Sequence, residues 1–193
     1  SNRDVCLLRP RARRVGMKNE FREARPGTPL QHAFQTGRQI VVFWTFFLIV
    51  VPFALQYLER ALGVPTFTFS AQRPIGAVGF AVASALGLWS GMTMAIHGMG
   101  TPLPTHCASK LVVTGPYRYV RNPMAIAGLA QGAFVGVTLG SFFTLLYVVS
   151  GLFVWNFFVR PIEENDHRQR IGQDFETYCD QVKCWIPRFP VKR

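Results

Sequence analysis

One stretch of this chain limits its fold more than any other: residues 124–159 contain no Asp, Glu, Lys or Arg. These 36 residues are too many for a single membrane crossing, which needs about 20 mainly apolar residues, and they suit two crossings. Gly136, Gly140 and Ser141 offer a turn near the middle, because Gly and Ser favour turns. The sequence therefore predicts a helical hairpin that crosses a bilayer and returns, with both polar flanks at the same membrane face.

Two further apolar segments precede this hairpin. Residues 40–58 are 19 residues without a charge, and Pro52 is expected to kink the helix that they form. Residues 74–97 are rich in Gly, Ala and Ser, which lets neighbouring helices approach closely. We therefore predict an all-α fold, an integral membrane helical bundle of about four transmembrane helices. A soluble bundle with long buried helices is the alternative, but such helices normally keep a polar face.

The basic residues predict the orientation of the bundle. Nine of the 21 Lys and Arg precede the first predicted span, three lie between the second and third spans, and seven follow the last. With an even number of crossings, these three groups share one face, and basic flanks remain cytoplasmic. We therefore expect a multi-pass protein with both termini in the cytoplasm, in the inner membrane if the cell is bacterial.

Charge and composition also suggest the domain organisation and the partners. We predict that residues 1–38 form a basic, poorly ordered cytoplasmic tail and that residues 39–193 form one membrane domain. The chain has a net charge of +11, and its basic residues lie beside the predicted spans. This placement favours anionic lipid headgroups over nucleic acid as the partner. The spacing of His97, His106 and Cys107 fits no zinc pattern, so no metal is expected.

A polar segment leads into the predicted hairpin, at residues 110–123 (KLVVTGPYRYVRNP). It combines a short apolar stretch, a Gly-Pro turn, two tyrosine rings and two arginines. Asn122 and Pro123 suit the start of a helix, with Asn as the capping residue and Pro in the first turn. Read alone, the segment predicts either a ligand-binding loop or a tight re-entry turn with interfacial Tyr and Arg anchors.

A pair of carboxylates, Glu163 and Glu164, follows the hairpin directly. Such a pair can bind an ammonium group or balance a sulfonium cation, or it can complement the start of the next helix. Apolar residues then recur at helical spacing through residues 163–184 and just beyond, which predicts one surface helix able to close a pocket over the loop: Ile171, Phe175, Tyr178, Val182 and Trp185.

The two motifs together resemble the isoprenylcysteine carboxyl methyltransferase and phospholipid N-methyltransferase superfamily. The resemblance rests on LVxxGPYRYVRNPM, the apolar hairpin, and then EE-x6-IG-x2-F-x2-Y-x3-V-x2-W-x-P, and it covers about residues 100–188. It implies an integral membrane enzyme that uses S-adenosyl-L-methionine to methylate a membrane lipid or a prenylcysteine-like acceptor at the cytoplasmic face. It also implies that the C-terminal helix covers the cofactor site.

The resemblance assigns roles to individual residues of this chain. Three of them are expected near the reacting groups: Tyr117, Arg160 and Glu164. The expected cofactor contacts are Ser109, Lys110, Leu111, Val112, Gly115, Tyr117, Asn122, Pro123, Met124, Ala125, Glu163 and Glu164. Glu163 matches the carboxylate that binds the methionine end of the cofactor.

The chain departs from the superfamily at telling positions. Asn122 replaces the familiar His, Ala125 replaces the familiar Tyr, and Ser109 stands where a His is common. Arg160 lies one residue away from the arginine that contacts the substrate carboxylate in the isoprenylcysteine branch. The acceptor therefore stays open between a carboxyl oxygen and an amine nitrogen. An NADPH-dependent membrane reductase of the sterol reductase type and a non-catalytic protein on the same scaffold are the alternatives.

Overall fold

The computed structural model describes residues 29–98 and 111–187, and each element in these ranges is helical. Seven α-helices follow one another: α1 (Pro29–Trp44), α2 (Val51–Ala61), α3 (Gln72–His97), α4 (Pro123–Leu139), α5 (Phe142–Val154), α6 (Arg160–Ile171) and α7 (Gln173–Gln181). Residues Thr45–Val50 and Trp155–Val159 form π-helical segments that join α1 to α2 and α5 to α6. The all-helical prediction is confirmed for this part of the chain. Most of the basic tail, with Ser109 and Lys110, lies outside it.

Within residues 29–98 and 111–187, three helices are long and apolar enough to cross a membrane: Gly37–Ala61, Gln72–His97 and Phe142–Ile171. The apolar helix Pro123–Leu139 has 17 residues and is shorter than these three. The helix Phe142–Ile171 has 30 residues and measures about 45 Å at a rise of about 1.5 Å per residue. All its charged residues lie in α6, so α6 extends past the apolar part of this helix.

The predicted turn inside residues 124–159 lies at Gly140 and Ser141. Gly140 adopts a left-handed conformation with φ +63°, which Gly adopts at little cost. The hydroxyl of Ser141 accepts a hydrogen bond from the backbone N–H of Thr144 and so caps α5. Gly136, by contrast, remains inside α4 and packs against Leu145. The helical hairpin is therefore present, with its turn at the second and third of the three predicted residues.

The first apolar segment remains continuous through Pro52. Pro52 lies in the first turn of α2, directly after the π-helical segment Thr45–Val50. A proline removes one backbone donor from the helix and crowds the preceding turn, and a π-helical segment is one way for a helix to accommodate such a change. The helix therefore runs without a break from Pro29 to Ala61, through a π-helical segment.

Helix α3 packs against α4 through glycines. A Cβ atom at Gly79 would fall on the ring of Phe134, and one at Gly87 would lie 3.4 Å from the Cβ of Ala127. The amide of Gln131 also donates a 2.9 Å hydrogen bond to the hydroxyl of Ser84. Small residues at this interface bring the two backbones close together, as expected for membrane helices.

The end of the bundle that carries the α4–α5 turn is held by side chains from α2 and α3. Glu59 is fully buried, and its Oε1 accepts a 2.8 Å hydrogen bond from the backbone N–H of Phe142. Gln56 donates to the carbonyl of Leu139 at 3.0 Å. Gln72 likewise donates to the carbonyl of Val137 at 2.7 Å. These bonds satisfy groups that helix termini leave without an intrahelical partner, and they fix the start of α5.

The prediction of one surface helix through residues 163–184 is wrong. Helix α6 continues α5, ends at Ile171, and is separated from α7 by Gly172 with φ +70°. Because Gly tolerates this conformation, the chain turns sharply there and α7 runs as a separate helix. Four of the five predicted apolar residues lie together: Phe175, Tyr178 and Val182 form a buried cluster, and Ile171 packs against it, as does Leu111. Trp185 lies beyond α7, where its ring meets Trp155 edge to face.

Candidate functional site

A cavity of about 680 Å³ lies between α1, α4, α5, α6 and α7, within the range of about 300–1,000 Å³ that is usual for small-molecule sites. Nine of the residues named from the sequence line it: Leu111, Val112, Tyr117, Asn122, Met124, Ala125, Arg160, Glu163 and Glu164. The fold therefore brings the loop motif and the carboxylate pair to one place, although about 40 residues separate them in the chain.

Gly115 and Pro123 do not line this cavity. Gly115 has φ +57°, and a Cβ atom there would lie 2.9 Å from the hydroxyl oxygen of Thr93 on α3. Pro123 is buried in the first turn of α4, where its fixed φ suits the start of a helix. These two residues shape the loop rather than contact a ligand in the cavity.

Tyr117 and Tyr178 connect the loop to α7. The hydroxyl of Tyr178 donates a 2.7 Å hydrogen bond to the backbone carbonyl of Tyr117, and both residues are buried. Burial raises the pKa of Tyr117, and the neighbouring Tyr178 and Glu163 raise it further. Burial also raises the pKa of Tyr178. Both side chains are therefore neutral phenols near neutral pH and present aromatic surface to the cavity.

Arg121 joins the loop to the C-terminal segment in three ways. Its backbone N–H donates to the carbonyl of Lys183 at 3.0 Å. Its guanidinium donates to Glu164 Oε1 at 3.0 Å and to the thiol sulfur of Cys179 at 2.8 Å. From the sequence, Arg121 is expected only as one of two cations at the membrane surface. The contact with Glu164, 43 positions away, depends on how α6 returns towards the loop, which no local pattern encodes.

The two adjacent carboxylates have different surroundings. Glu164 lies within 4 Å of three guanidinium groups: Arg121 at 3.0 Å, Arg160 at 3.5 Å and Arg168 at 3.4 Å. Glu163 instead faces the cavity, where burial raises its pKa to about 7, with further contributions from the charges of Glu164 and Asp166. Glu163 lies in the first turn of α6, as the helix-start alternative expects, although α6 follows the π-helical segment Trp155–Val159 without a break.

Asn122 occupies the capping position of α4, but its side chain makes no capping hydrogen bond. Its amide donates instead to the sulfur of Cys184 at 3.1 Å, because the segment after α7 lies against the loop. The prediction that Asn122 caps the helix is therefore wrong, whereas Pro123 does lie in the first turn. Ala125 lines the cavity one helical turn further on and adds only a methyl group there.

Several cavity residues were not predicted from the sequence. Helix α1 contributes one wall through Gln39, Ile40, Phe43 and Trp44, and α6 adds Asp166 and His167. The ring of His167 stacks on Phe175, and burial lowers the pKa of this histidine. The motifs carry no signal for α1, because its apolar residues read equally well as membrane-facing surface.

Three buried polar atoms around the cavity have no hydrogen-bond partner in the described part of the chain: Gln39 Oε1, Arg121 Nε and Arg160 Nε. Arg160 Nε lies 3.5 Å from Glu164, close enough for charge attraction but without a hydrogen bond. Buried polar groups are normally bonded, so these atoms are ready to meet the polar groups of a ligand. In the part of the chain that the structure describes, no group of three His, Cys, Asp or Glu side chains is placed to hold a metal ion.

The family of the chain follows from a comparison with known families. The family model described as phospholipid methyltransferase matches residues 71–173, which is more than half of the chain. The match runs from the start of α3 to the start of α7 and includes the loop motif and the carboxylate pair Glu163 and Glu164, but not most of α7. Neither the curated proteins nor the solved structures gave a significant match. The chain belongs to the phospholipid methyltransferase family, and this membership, together with its long apolar helices, makes it a membrane methyltransferase by family.

Proposed function

We propose that this protein transfers a methyl group from S-adenosyl-L-methionine to a lipidic or prenylcysteine-like acceptor at the cytoplasmic membrane face. The observation that carries the proposal is the single cavity that both motifs line. Its charged groups lie at one end, near α6 and the loop, and its body lies between apolar helices. Such a cavity suits a reaction between a water-soluble cofactor and a membrane-embedded acceptor.

Glu163 is the proposed contact of the cofactor's ammonium group. It faces the cavity and carries no guanidinium partner of the kind that surrounds Glu164. A pKa of about 7 means that a cation arriving beside it converts a partly protonated carboxyl into a carboxylate. The unpartnered Nε atoms of Arg121 and Arg160 are suited to a carboxylate or phosphate on the cofactor or on the acceptor.

The loop supplies the remaining proposed cofactor contacts. Leu111, Val112 and Tyr117 present apolar and aromatic surface to the cavity, and Phe175 adds a second ring from α7. Aromatic faces attract cations such as a sulfonium. Ser109 and Lys110 are proposed contacts by resemblance alone, because they lie outside the described residues. Asn122 and Ala125 leave this part of the cavity without the His and Tyr that are familiar in the superfamily.

The cofactor supplies an activated methyl group, whose C–S bond breaks as a new bond to oxygen or nitrogen forms. The residues of the chain hold the two reactants in line and exclude water, which can contribute several kcal/mol through proximity. A carboxylate acceptor needs no base. An amine acceptor must lose a proton, and the raised pKa of Tyr117 disfavours this residue as the base. Glu164 or a phosphate of the lipid is the better candidate, with Arg160 orienting the anionic part of the acceptor.

Titration of the purified protein in detergent with S-adenosylhomocysteine and, separately, with NADPH tests the proposal. We expect heat of binding with S-adenosylhomocysteine and none with NADPH, because the cavity has a carboxylate for an ammonium group. Binding of NADPH alone would favour the reductase, and binding of neither would favour a non-catalytic protein. Transfer of a labelled methyl group to lipid extracts and to prenylcysteine analogues would then identify the acceptor.

The orientation of the bundle is part of the proposal. Four crossings, with Pro123–Leu139 as the short one, place both termini and residues 99–122 on the cytoplasmic side, because basic flanks stay there. Reporter domains fused at residue 1 and at residue 193 should therefore both report the cytoplasm, and a reporter inserted between α2 and α3 should report the opposite face. Termini on opposite faces would contradict the four-crossing topology.

A further inference from the structure

The cavity continues well past its polar end, along the apolar part of α5. It is lined from Val159 back to Tyr147, twelve residues earlier in the chain, or about 18 Å at a rise of about 1.5 Å per residue. The hydrocarbon core of a bilayer is about 30 Å thick, so this length matches the depth of one leaflet. The cavity is therefore as long as the space that one lipid tail occupies in its own leaflet.

Glycines on the facing sides of α4 and α5 leave this part of the cavity open. Gly128, Gly132 and Gly151 line it, and a Cβ atom at Gly128 would meet no atom within 4 Å. A Cβ atom at Gly132 would instead lie 2.8 Å from a methyl group of Val148 and 3.9 Å from one of Leu48. Val148 and the buried Leu48 thus close the far end, while Gly128 borders open space nearer the polar end.

Several apolar residues that line the cavity are also exposed. Phe43, on α1, and Phe47, in the π-helical segment that follows it, line the cavity and are 40% and 41% exposed. Their rings stack on each other at 5.5 Å. Val154 lines the opposite side and is 53% exposed. The cavity is therefore already partly open between these side chains, towards the surrounding hydrocarbon.

We infer that this part of the cavity holds one hydrocarbon tail of the acceptor, and that Gly128 and Val148 determine which tails fit. The inference rests on the proposed function and adds a rule of specificity to it. Because the charged groups gather at the α6 end, the headgroup must lie there, and the tail can extend only towards Leu48 and Val148. Gly128 sets the width of the passage, and Val148 sets its length.

Gly128→Leu tests the width of the passage. Gly128 lines the cavity and is exposed, and a Cβ atom there would meet no atom within 4 Å. Replacement of a helical glycine also favours the helix itself, so the variant should fold at least as well as the parent. We expect methyl transfer to long-tailed acceptors to fall at least tenfold, and the affinity for S-adenosylhomocysteine to stay within twofold. Gly37→Leu is the matched control, because a Cβ atom there also meets nothing within 4 Å but Gly37 is outside the cavity.

Val148→Ala tests the length. The probes are single-chain ethanolamine phospholipids and S-alkyl cysteines, each in a series whose saturated tail lengthens stepwise. We expect the parent to discriminate against tails beyond a certain length, and Val148→Ala to move that limit to longer tails without changing the affinity for S-adenosylhomocysteine. The two headgroups share the tail, so a limit at the same length in both series assigns it to the cavity.

The outcomes separate this inference from the proposed function. A parent protein that binds no S-adenosylhomocysteine contradicts the proposed function itself. A parent that binds it, but transfers methyl groups equally to all tail lengths, contradicts only the tail passage. Equal loss of activity in Gly128→Leu and Gly37→Leu would also overturn the inference, because the effect would then come from the helices and not from the cavity.

Discussion

Replacement of Glu163 by Gln is expected to weaken the binding of S-adenosylhomocysteine at least tenfold. The change keeps the shape of the side chain and removes the charge that we propose to face the ammonium group of the cofactor. A charge-assisted hydrogen bond contributes about 1.5–3 kcal/mol, and about 1.4 kcal/mol corresponds to a factor of ten in affinity. Isothermal titration of the purified variant in detergent measures the effect directly.

Asp174→Asn is the control for this experiment. Asp174 is an exposed carboxylate in the first turn of α7, so its replacement changes the net charge of the protein by the same amount without altering the cavity. This variant should bind S-adenosylhomocysteine as the parent does. If Glu163→Gln also bound it with unchanged affinity, Glu163 would not be the ammonium contact, and its position at the cavity would need another explanation.

The pKa of Glu163 adds a second readout to the same variant. Burial raises this pKa to about 7, so the free protein carries a mostly neutral carboxyl below that pH. An ammonium ligand prefers the carboxylate, and its binding must then release a proton. Affinity should fall by up to about tenfold for each pH unit below 7 and level off above it. In Glu163→Gln this dependence should be absent.

The raised pKa of Glu163 also determines how its contribution to protein stability changes with pH. The ordinary pKa of the side chain, 4.5, is lower than its value in the folded protein, so the folded state binds the proton more tightly than the unfolded state does. The resulting contribution to stability is present below pH 4.5 and is lost as the pH rises through about 7. Ligand affinity and protein stability therefore respond to this one carboxyl in opposite directions.

The fold was predictable where the physical cause is local in the chain. Apolar runs without charge form helices in a membrane because each backbone group finds its partner within the segment. Gly140 and Ser141 mark the turn of the hairpin because one allows a left-handed backbone and the other supplies a cap. The loop motif and the carboxylate pair could likewise be read from residue types and order.

The sequence did not predict the features that depend on contacts between residues far apart in the chain. The apolar period through residues 163–184 reads as one helix, yet burial of Phe175 and Tyr178 against Leu111 requires a turn at Gly172. The sequence suggests that Arg121 is a surface cation, whereas in the structure it donates a hydrogen bond to Glu164 of α6. The wall that α1 gives to the cavity has no sequence signature, because residues facing lipid and residues facing a lipid-like cavity are equally apolar.

Glu59 is a similar case, and it carries the largest expected effect on stability. The first predicted span ended at residue 58, immediately before this charge, whereas the helix continues to Ala61 and buries Glu59 completely. An ionisable group in such a place is costly unless it is bonded. Its Oε1 accepts hydrogen bonds from the N–H groups of Phe142 and Phe143 at 2.8 and 3.4 Å, and a carboxylate is favoured at a helix N-terminus.

Glu59→Ala should therefore lower the free energy of unfolding by about 1–3 kcal/mol, because it leaves the N–H of Phe142, at the start of α5, without its acceptor. Glu59→Gln keeps an acceptor oxygen and should lose less, whereas Arg60→Ala, at an exposed neighbouring residue, should lose little. Unfolding in detergent measures all three variants. Affinity for S-adenosylhomocysteine should stay unchanged in the folded fraction, since Glu59 is outside the cavity. Equal stability of Glu59→Ala and the parent would mean that the α4–α5 hairpin holds its place without this bond.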